Sequence, residues 1–190
     1  MLRGRLVQAE WQGWRRDPLT YSGPITDGLF SLFLHRLRPD EDLVEAACAR
    51  LAQAPRLLEQ GRANLDAALA HPLIVNRAAA SAQSSARYVR ELLPDEIEPL
   101  ELRDRLRAAG APVAEAFERW AAFLGAFASE AHGSWVFGEE RYTAVLQQRE
   151  ALPYDARTLR DLGQREFDRL DAEMRVLADR IAGTPDWHEV

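Results

Sequence analysis

The stretch WVFGEERYTAVLQQREALPYDARTLRDLGQREFDRLDAEMRVLADRI, residues 135–181, decides the fold. Its second half reads as one long helix. Gly163, Leu170 and Leu177 recur every seven residues, and Phe167, Met174 and Ile181 recur on the same period four places later. Seven residues make about two helical turns, so both sets fall on one narrow apolar seam. Arg160, Asp161, Arg165, Asp168, Arg169, Asp171, Glu173 and Arg175 occupy most other positions. The pattern predicts an amphipathic helix that lays its seam on a helical body and shows water its charged side. Asp155 is placed to cap its start, and Gly183 with Pro185 to end it. Before it the stretch predicts a loop, a short helix beginning after Gly138, and a turn at Leu152-Pro153-Tyr154.

The same helical rhythm runs back through the chain. Val113, Phe117, Trp120, Leu124, Phe127 and Ala131 follow a four-then-three spacing that Phe123 widens, which predicts the central core helix. Ile74, Ala78, Ala82, Ser85, Val89 and Leu92 predict a helix over about 73–93, whose Ala/Ser-rich middle suits close helix–helix approach. Leu43, Ala47 and Leu51 predict a helix from about Glu41 to Ala54 with Asp40 as its cap. Pro55 is expected to open the next helix, carrying Leu58, Leu65 and Leu69 and broken by His71-Pro72. A helix over about 25–37 ends at Pro39. Residues 1–24 read as irregular or weakly helical, and Gly110-Ala111-Pro112 is expected to break a short helix over 100–107. Pro94 to Glu101 reads as an acidic, solvated loop and helix start. No segment alternates at period two over strand length. The expected fold is all-α, six to eight mostly antiparallel helices in one bundle-like domain over residues 1–190.

Composition narrows the function classes. The chain has 190 residues, is 47% hydrophobic and 28% charged, and carries a formal net charge of -6. Phosphate contacts need a basic face, so no nucleic-acid partner is expected. No apolar run reaches the length of a bilayer span and the N-terminus lacks a signal-peptide core, so no membrane partner and a cytoplasmic location are expected. All 24 basic residues are arginine. The absence of lysine excludes a Schiff-base lysine and a phosphate-binding loop of the usual kind. Cys48 is the single cysteine, which excludes an internal disulfide and a thiolate zinc site. It reads as a small core residue.

Tests for chemistry in the residues come back empty. A carboxylate-bridged metal bundle needs Glu-x-x-His twice. The residues three before His35, His71, His132 and His188 are Leu32, Ala68, Ser129 and Pro185. His188-Glu189 opens a zincin-type motif, but no second histidine follows within the 190 residues. There is no Gly-x-Ser-x-Gly elbow and no glycine-rich phosphate cradle. One stretch carries a mild signal. Trp135, Phe137, Gly138 and Tyr142, with Glu139, Glu140 and Arg141 among them, gather aromatic and charged groups at a helix start. Such groups line a cleft, or they simply staple the loop to the core. Gly138, Glu139 and Tyr142 are the candidate cleft residues; no catalytic residue and no metal ligand is assigned.

Three stretches in order carry a family resemblance. They are Trp14-Arg15-Arg16-Asp17-Pro18-Leu19-Thr20-Tyr21; Phe137-Gly138-Glu139-Glu140-Arg141-Tyr142 with Leu146; and Leu162-Gly163 with Glu166, Leu170 and Glu173-Met174. Ala54-Pro55-Arg56-Leu57-Leu58 and Ala63-Asn64-Leu65 also fit. Together they resemble the N-terminal half of the bacterial domain-of-unknown-function family eight-eight-five, over Trp11 to Val190. That family is similar to mostly helical zinc metallopeptidases of the gluzincin group. The resemblance implies a longer protein whose histidine–glutamate zinc motif lies in a C-terminal half. Neither that motif nor any metal ligand can be carried over to a residue of this chain. The expectation is a non-catalytic helical part of a metallopeptidase-like protein. No cofactor is expected in this chain, and zinc only with the C-terminal half. That half, or a homo-oligomer, is the expected partner. The alternative is a self-contained helical protein that binds a partner or itself and has no enzymatic activity.

Overall fold

A computed structural model describes residues 2–190, with side chains from Gly4 onward. The expected all-α fold is found, and no strand occurs among the described residues. In chain order the helices are α1 (Leu2–Glu10), α2 (Gly13–Arg16), α3 (Leu19–His35), α4 (Asp40–Asn64), α5 (Pro72–Arg87), α6 (Leu100–Phe127), α7 (Glu139–Gln148) and α8 (Ala156–Ala182). A π-helical turn (Tyr88–Leu92) and a 3₁₀ turn (Leu93–Glu96) connect α5 to α6, and a 3₁₀ turn (Trp187–Glu189) follows α8. The chain divides into two compact units: Gln12–Trp135, and Met1–Trp11 with Val136–Val190.

The unit Gln12–Trp135 is built around α6, which packs mainly on α4 and α5. The predicted core stripe is confirmed: Val113, Phe117, Trp120, Leu124, Phe127 and Ala131 are all buried. From α4 come Leu43, Ala47, Leu51, Ala54 and Leu58, and from α5 Val75, Ala78 and Ala82. Their four-and-three spacing puts each set on one face. Small residues let α5 lie close to α6, as the Ala/Ser composition suggested. Gly61 on α4 shows how tight this core is. A Cβ there would sit 2.7 Å from the Tyr21 ring and 2.9 Å from that of Trp120.

Several boundaries differ from the sequence expectation. Pro55 does not begin a helix and Pro112 does not end one; each lies inside a single long helix, α4 or α6. Pro24 lies inside α3 in the same way. Pro24 and Pro112 are exposed and Pro55 is half-buried. On the outer side of a helix that curves around a core, carbonyls tilt toward water and the missing backbone hydrogen bond costs less. Asp40 does not cap α4. It is the first helical residue, Pro39 precedes it without a side-chain cap, and Asp40 instead faces Arg36 at 3.5 Å. His71, read as a breaker, is the N-cap of α5: its Nδ1 accepts from the Leu73 amide at 3.1 Å. The π turn carries the inward position on to Leu93, which is fully buried, so Leu92 is 52% exposed rather than in the core. Ile74 is half-buried and its neighbour Val75 takes the core position.

Of residues 1–24, expected to be irregular or weakly helical, residues 2–24 are largely helical. The Trp14–Tyr21 segment is held by polar contacts that reach across the sequence. The Tyr21 hydroxyl donates to the Trp14 carbonyl at 2.6 Å and accepts from the Asn64 amide at 3.1 Å. Arg15 pairs with Asp66 at 2.6 Å. The Trp14–Tyr21 and Ala63–Leu65 stretches that carry the family resemblance are thus joined in one packing arrangement.

In the second unit α1 lies against α7, and α7 leads into α8. Asp155 caps α8 as expected, accepting from the Thr158 amide at 2.6 Å, and Gly183 ends it with φ +70°. These backbone bonds hold the Asp155 carboxyl below the usual carboxylate range. The predicted burial of the seam is overturned. Phe167 is 63% exposed and Ile181 72%; Leu170, Met174 and Leu177 are exposed as well, and Ala178 is the buried residue of α8. The first turns of α8 meet α7, where the Thr143 hydroxyl accepts from the Ala156 amide at 3.0 Å. Near its other end the Trp187 indole donates to Asp171 at 2.9 Å. Periodicity identifies which face is apolar; it does not supply something for that face to pack on.

Candidate functional site

A recess in the second unit opens where α7 begins. It holds about 520 Å³ and is lined by Val7 and Glu10 of α1, by Phe137, Gly138 and Glu139, and by Arg141, among others. Its position follows from the local sequence. Gly138 adopts φ +83°, ψ 153°, a conformation that strains any residue with a Cβ, and this turns the incoming chain into the first turn of α7. No side chain caps that turn. Glu139 and Glu140 stand in it, where the helix dipole favours carboxylates.

Arg141 is held by aromatic faces. Its guanidinium lies 4.9 Å from the Trp11 ring centroid and 5.5 Å from that of Phe137, and it donates to the Phe137 carbonyl at 3.3 Å. Trp11 and Phe137 meet edge to face at 4.9 Å. This cluster fixes the wall of the recess on α1 and α7 and stacks a cation where no carboxylate is needed to place it. Glu139 faces Arg157 at 3.6 Å, both well exposed. The recess therefore joins an apolar wall to a rim rich in carboxylates, a combination suited to an extended ligand with a basic group.

The structure separates the residues that the sequence grouped. Gly138 and Glu139 line the recess, whereas Tyr142 is not among its lining residues and is 43% exposed. Trp135 belongs to the other unit, where its ring sits 6.5 Å from that of His71. Sequence reasoning missed Glu10 and Val7, which reach the recess only through the packing of α1 on α7, and Trp11, which lies behind it against Phe137 and Arg141. The one available signal was the aromatic character of Trp11.

The unit Gln12–Trp135 has a shallower groove of about 270 Å³ bordered by Thr26, Asp27, Phe30, Ser84 and Tyr88. The Tyr88 hydroxyl is buried without a hydrogen-bond partner, and burial raises its pKa, with a further push from Glu96. Cys48 is half-buried against the core, and burial raises its thiol pKa although Arg105 opposes the shift. Neither place brings a base to a nucleophile.

Zinc is the cofactor that the family resemblance implies. Among the described residues no three His, Cys, Asp or Glu side chains converge to hold an ion. The residues present do not fit a zinc site, and no chemical step is assigned through one. No helix of the described residues is long and apolar enough to cross a membrane.

No curated protein and no solved structure matches the chain. A sequence profile described as "Bacterial protein of unknown function (DUF885)" matches residues 2–190. The match takes in both units, the Trp14–Tyr21 segment and the recess at Gly138, and on that evidence the chain belongs to this bacterial family of proteins of unknown function.

Proposed function

We propose that the chain is a non-catalytic helical part of a zinc-metallopeptidase-like protein and supplies one wall of its substrate cleft. The observation that carries this reading is the recess at the start of α7, where Phe137, Gly138 and Glu139 meet α1. The resemblance of the family to helical gluzincins supports it. An apolar wall with carboxylates at its rim suits a peptide carrying a basic side chain. Under this reading the histidine–glutamate motif and its metal belong to a part of the protein other than these 190 residues. The wall orients substrate and does not touch the reacting bond.

The test is to recover the natural gene product from its host, weigh it, measure its zinc and assay it on basic and neutral peptides. The expected product is heavier than 21.4 kDa, carries about one zinc and hydrolyses peptides. Glu139→Gln is expected to raise KM for basic peptides roughly three- to tenfold with kcat nearly unchanged, the mark of lost ground-state binding. A zinc-free natural product of 21.4 kDa would sink the proposal. A second reading, a helical protein that associates with itself, is favoured by the exposed apolar seam of α8.

A further inference from the structure

We infer that the recess at the start of α7 takes a ligand bearing both charges, a basic group and a carboxylate joined by a short apolar stem. The inference rests on the cleft reading above for the site itself, and it needs neither zinc nor a hydrolytic step. What carries it is a set of opposite charges that share one recess and leave one another unpaired. Arg141, Glu10 and Glu140 all line it. Among the described residues Arg141 forms no ion pair, and neither Glu10 nor Glu140 has a cationic partner. Arg141 is kept from closing on them. The ring centroids of Trp11 and Phe137 lie 4.9 and 5.5 Å from its guanidinium, and the Phe137 carbonyl accepts one of its N–H groups at 3.3 Å. A guanidinium carries five donors in a rigid fork, so most remain for a ligand. Glu140 precedes it on α7, and neighbours in sequence do not face each other on a helix. Glu10 arrives from α1.

Charge selects the ligand. Glu139 also borders the recess but faces Arg157 at 3.6 Å, which offsets it. Two carboxylates, Glu10 and Glu140, are then left against one guanidinium. A simple carboxylate meets net repulsion there. A simple amine is attracted and leaves the Arg141 fork empty. A ligand with both groups fills each, and a carboxylate suits the fork in bidentate geometry. Arg141 is half-buried, so its attraction is screened less than that of a fully exposed cation. Val7 and Phe137 give the stem an apolar surface. A volume of about 520 Å³ lies within the range of small-molecule sites. Two sources present this chemistry: a free amino acid whose amine stands at the end of a chain, and a peptide whose basic side chain neighbours an acidic one.

Isothermal titration of the 190-residue chain tests this. The probe 6-aminohexanoate is compared with hexylamine and hexanoate. In a second arm, acetylated and amidated Ala-Arg-Asp-Ala and Ala-Asp-Arg-Ala are compared with the same peptides carrying Asn for Asp. In at least one arm the doubly charged probe is expected to bind at least about tenfold tighter than the probe lacking its carboxylate, with hexanoate weakest. The arm that shows it names the source. Arg141→Gln is expected to abolish that preference while leaving hexylamine binding within about twofold, and Arg141→Lys to keep part of it, because a point charge replaces a fork. Glu10→Gln with Glu140→Gln is expected to weaken hexylamine and 6-aminohexanoate alike. Both residues are exposed, so this variant keeps its fold even where Arg141→Gln disturbs the ring cluster, and circular dichroism checks each. Equal binding with and without the carboxylate in both arms overturns the inference. So does a preference that survives Arg141→Gln, or an absence of binding by every probe. Equal binding leaves the cleft reading for basic peptides in place, whereas a zinc-free natural product of 21.4 kDa removes that reading and leaves the titrations standing.

Discussion

Gly61 holds a place that neighbouring rings define, and Asp155 one that a backbone amide defines. A methyl group at Gly61 would press on the rings of Tyr21 and Trp120, which are themselves packed edge to face with centroids 6.4 Å apart. Gly61→Ala is therefore expected to lower unfolding stability by about 1–3 kcal/mol, read as a lower urea midpoint with unchanged slope. Asp155 accepts from the Thr158 amide, and that bond depresses its carboxyl pKa. A carboxyl depressed in the folded state contributes stability that is complete above its unfolded value, near about 3.9, and is lost as pH falls through the folded value. Asp155→Ala is expected to lower the thermal midpoint at pH 7, and its difference from the parent protein to shrink in scans taken progressively below about pH 4.

At the scale of helices, prolines and glycines were poorer boundary marks than their reputation. Pro55 and Pro112 look like breaks because a proline removes an interior hydrogen bond and crowds the preceding turn. The structure carries both inside long helices, with Pro112 facing water. Pro112→Ala regains a backbone donor and a better helix former at an exposed site, against a gain in unfolded-state freedom. A net stabilisation of about 1–2 kcal/mol is expected in urea titration. The π turn at Tyr88–Leu92 is the other surprise: it exchanged Leu92 for Leu93 in the core. Nothing in local propensity distinguishes those two leucines. The wider turn is chosen by how the segment packs on α6.

Across the whole molecule, stability is concentrated where α6 meets α4 and α5. Phe117 lies at its centre and is fully buried. Phe117→Ala is expected to cost about 3–5 kcal/mol, enough to unfold a marginal domain, and near-ultraviolet circular dichroism together with urea titration would show it. By contrast the C-terminal turns of α8 bury little, and their amides are expected to exchange with solvent well before those of α6 in dilute protein.

The sequence by itself determined the all-α class, the core stripe from Val113 to Ala131, the cap at Asp155 and the stop at Gly183. Each of these local features, the apolar face of that stripe included, is set by residues a few places apart, so the order of residues is enough to specify it, whereas the cover of the stripe comes from α4 and α5. The family resemblance was legible for a related reason: the Trp14–Tyr21 and Ala63–Leu65 stretches carry residues joined by specific hydrogen bonds. Tertiary structure alone decided the rest. Val7 and Glu10 stand more than a hundred residues from Gly138, and only the packing of α1 on α7 brings them to one recess. The seam of α8 is the plainest case. A seven-residue period encodes an apolar face but carries no information on what will cover it, and burial is a property of two surfaces rather than of one sequence.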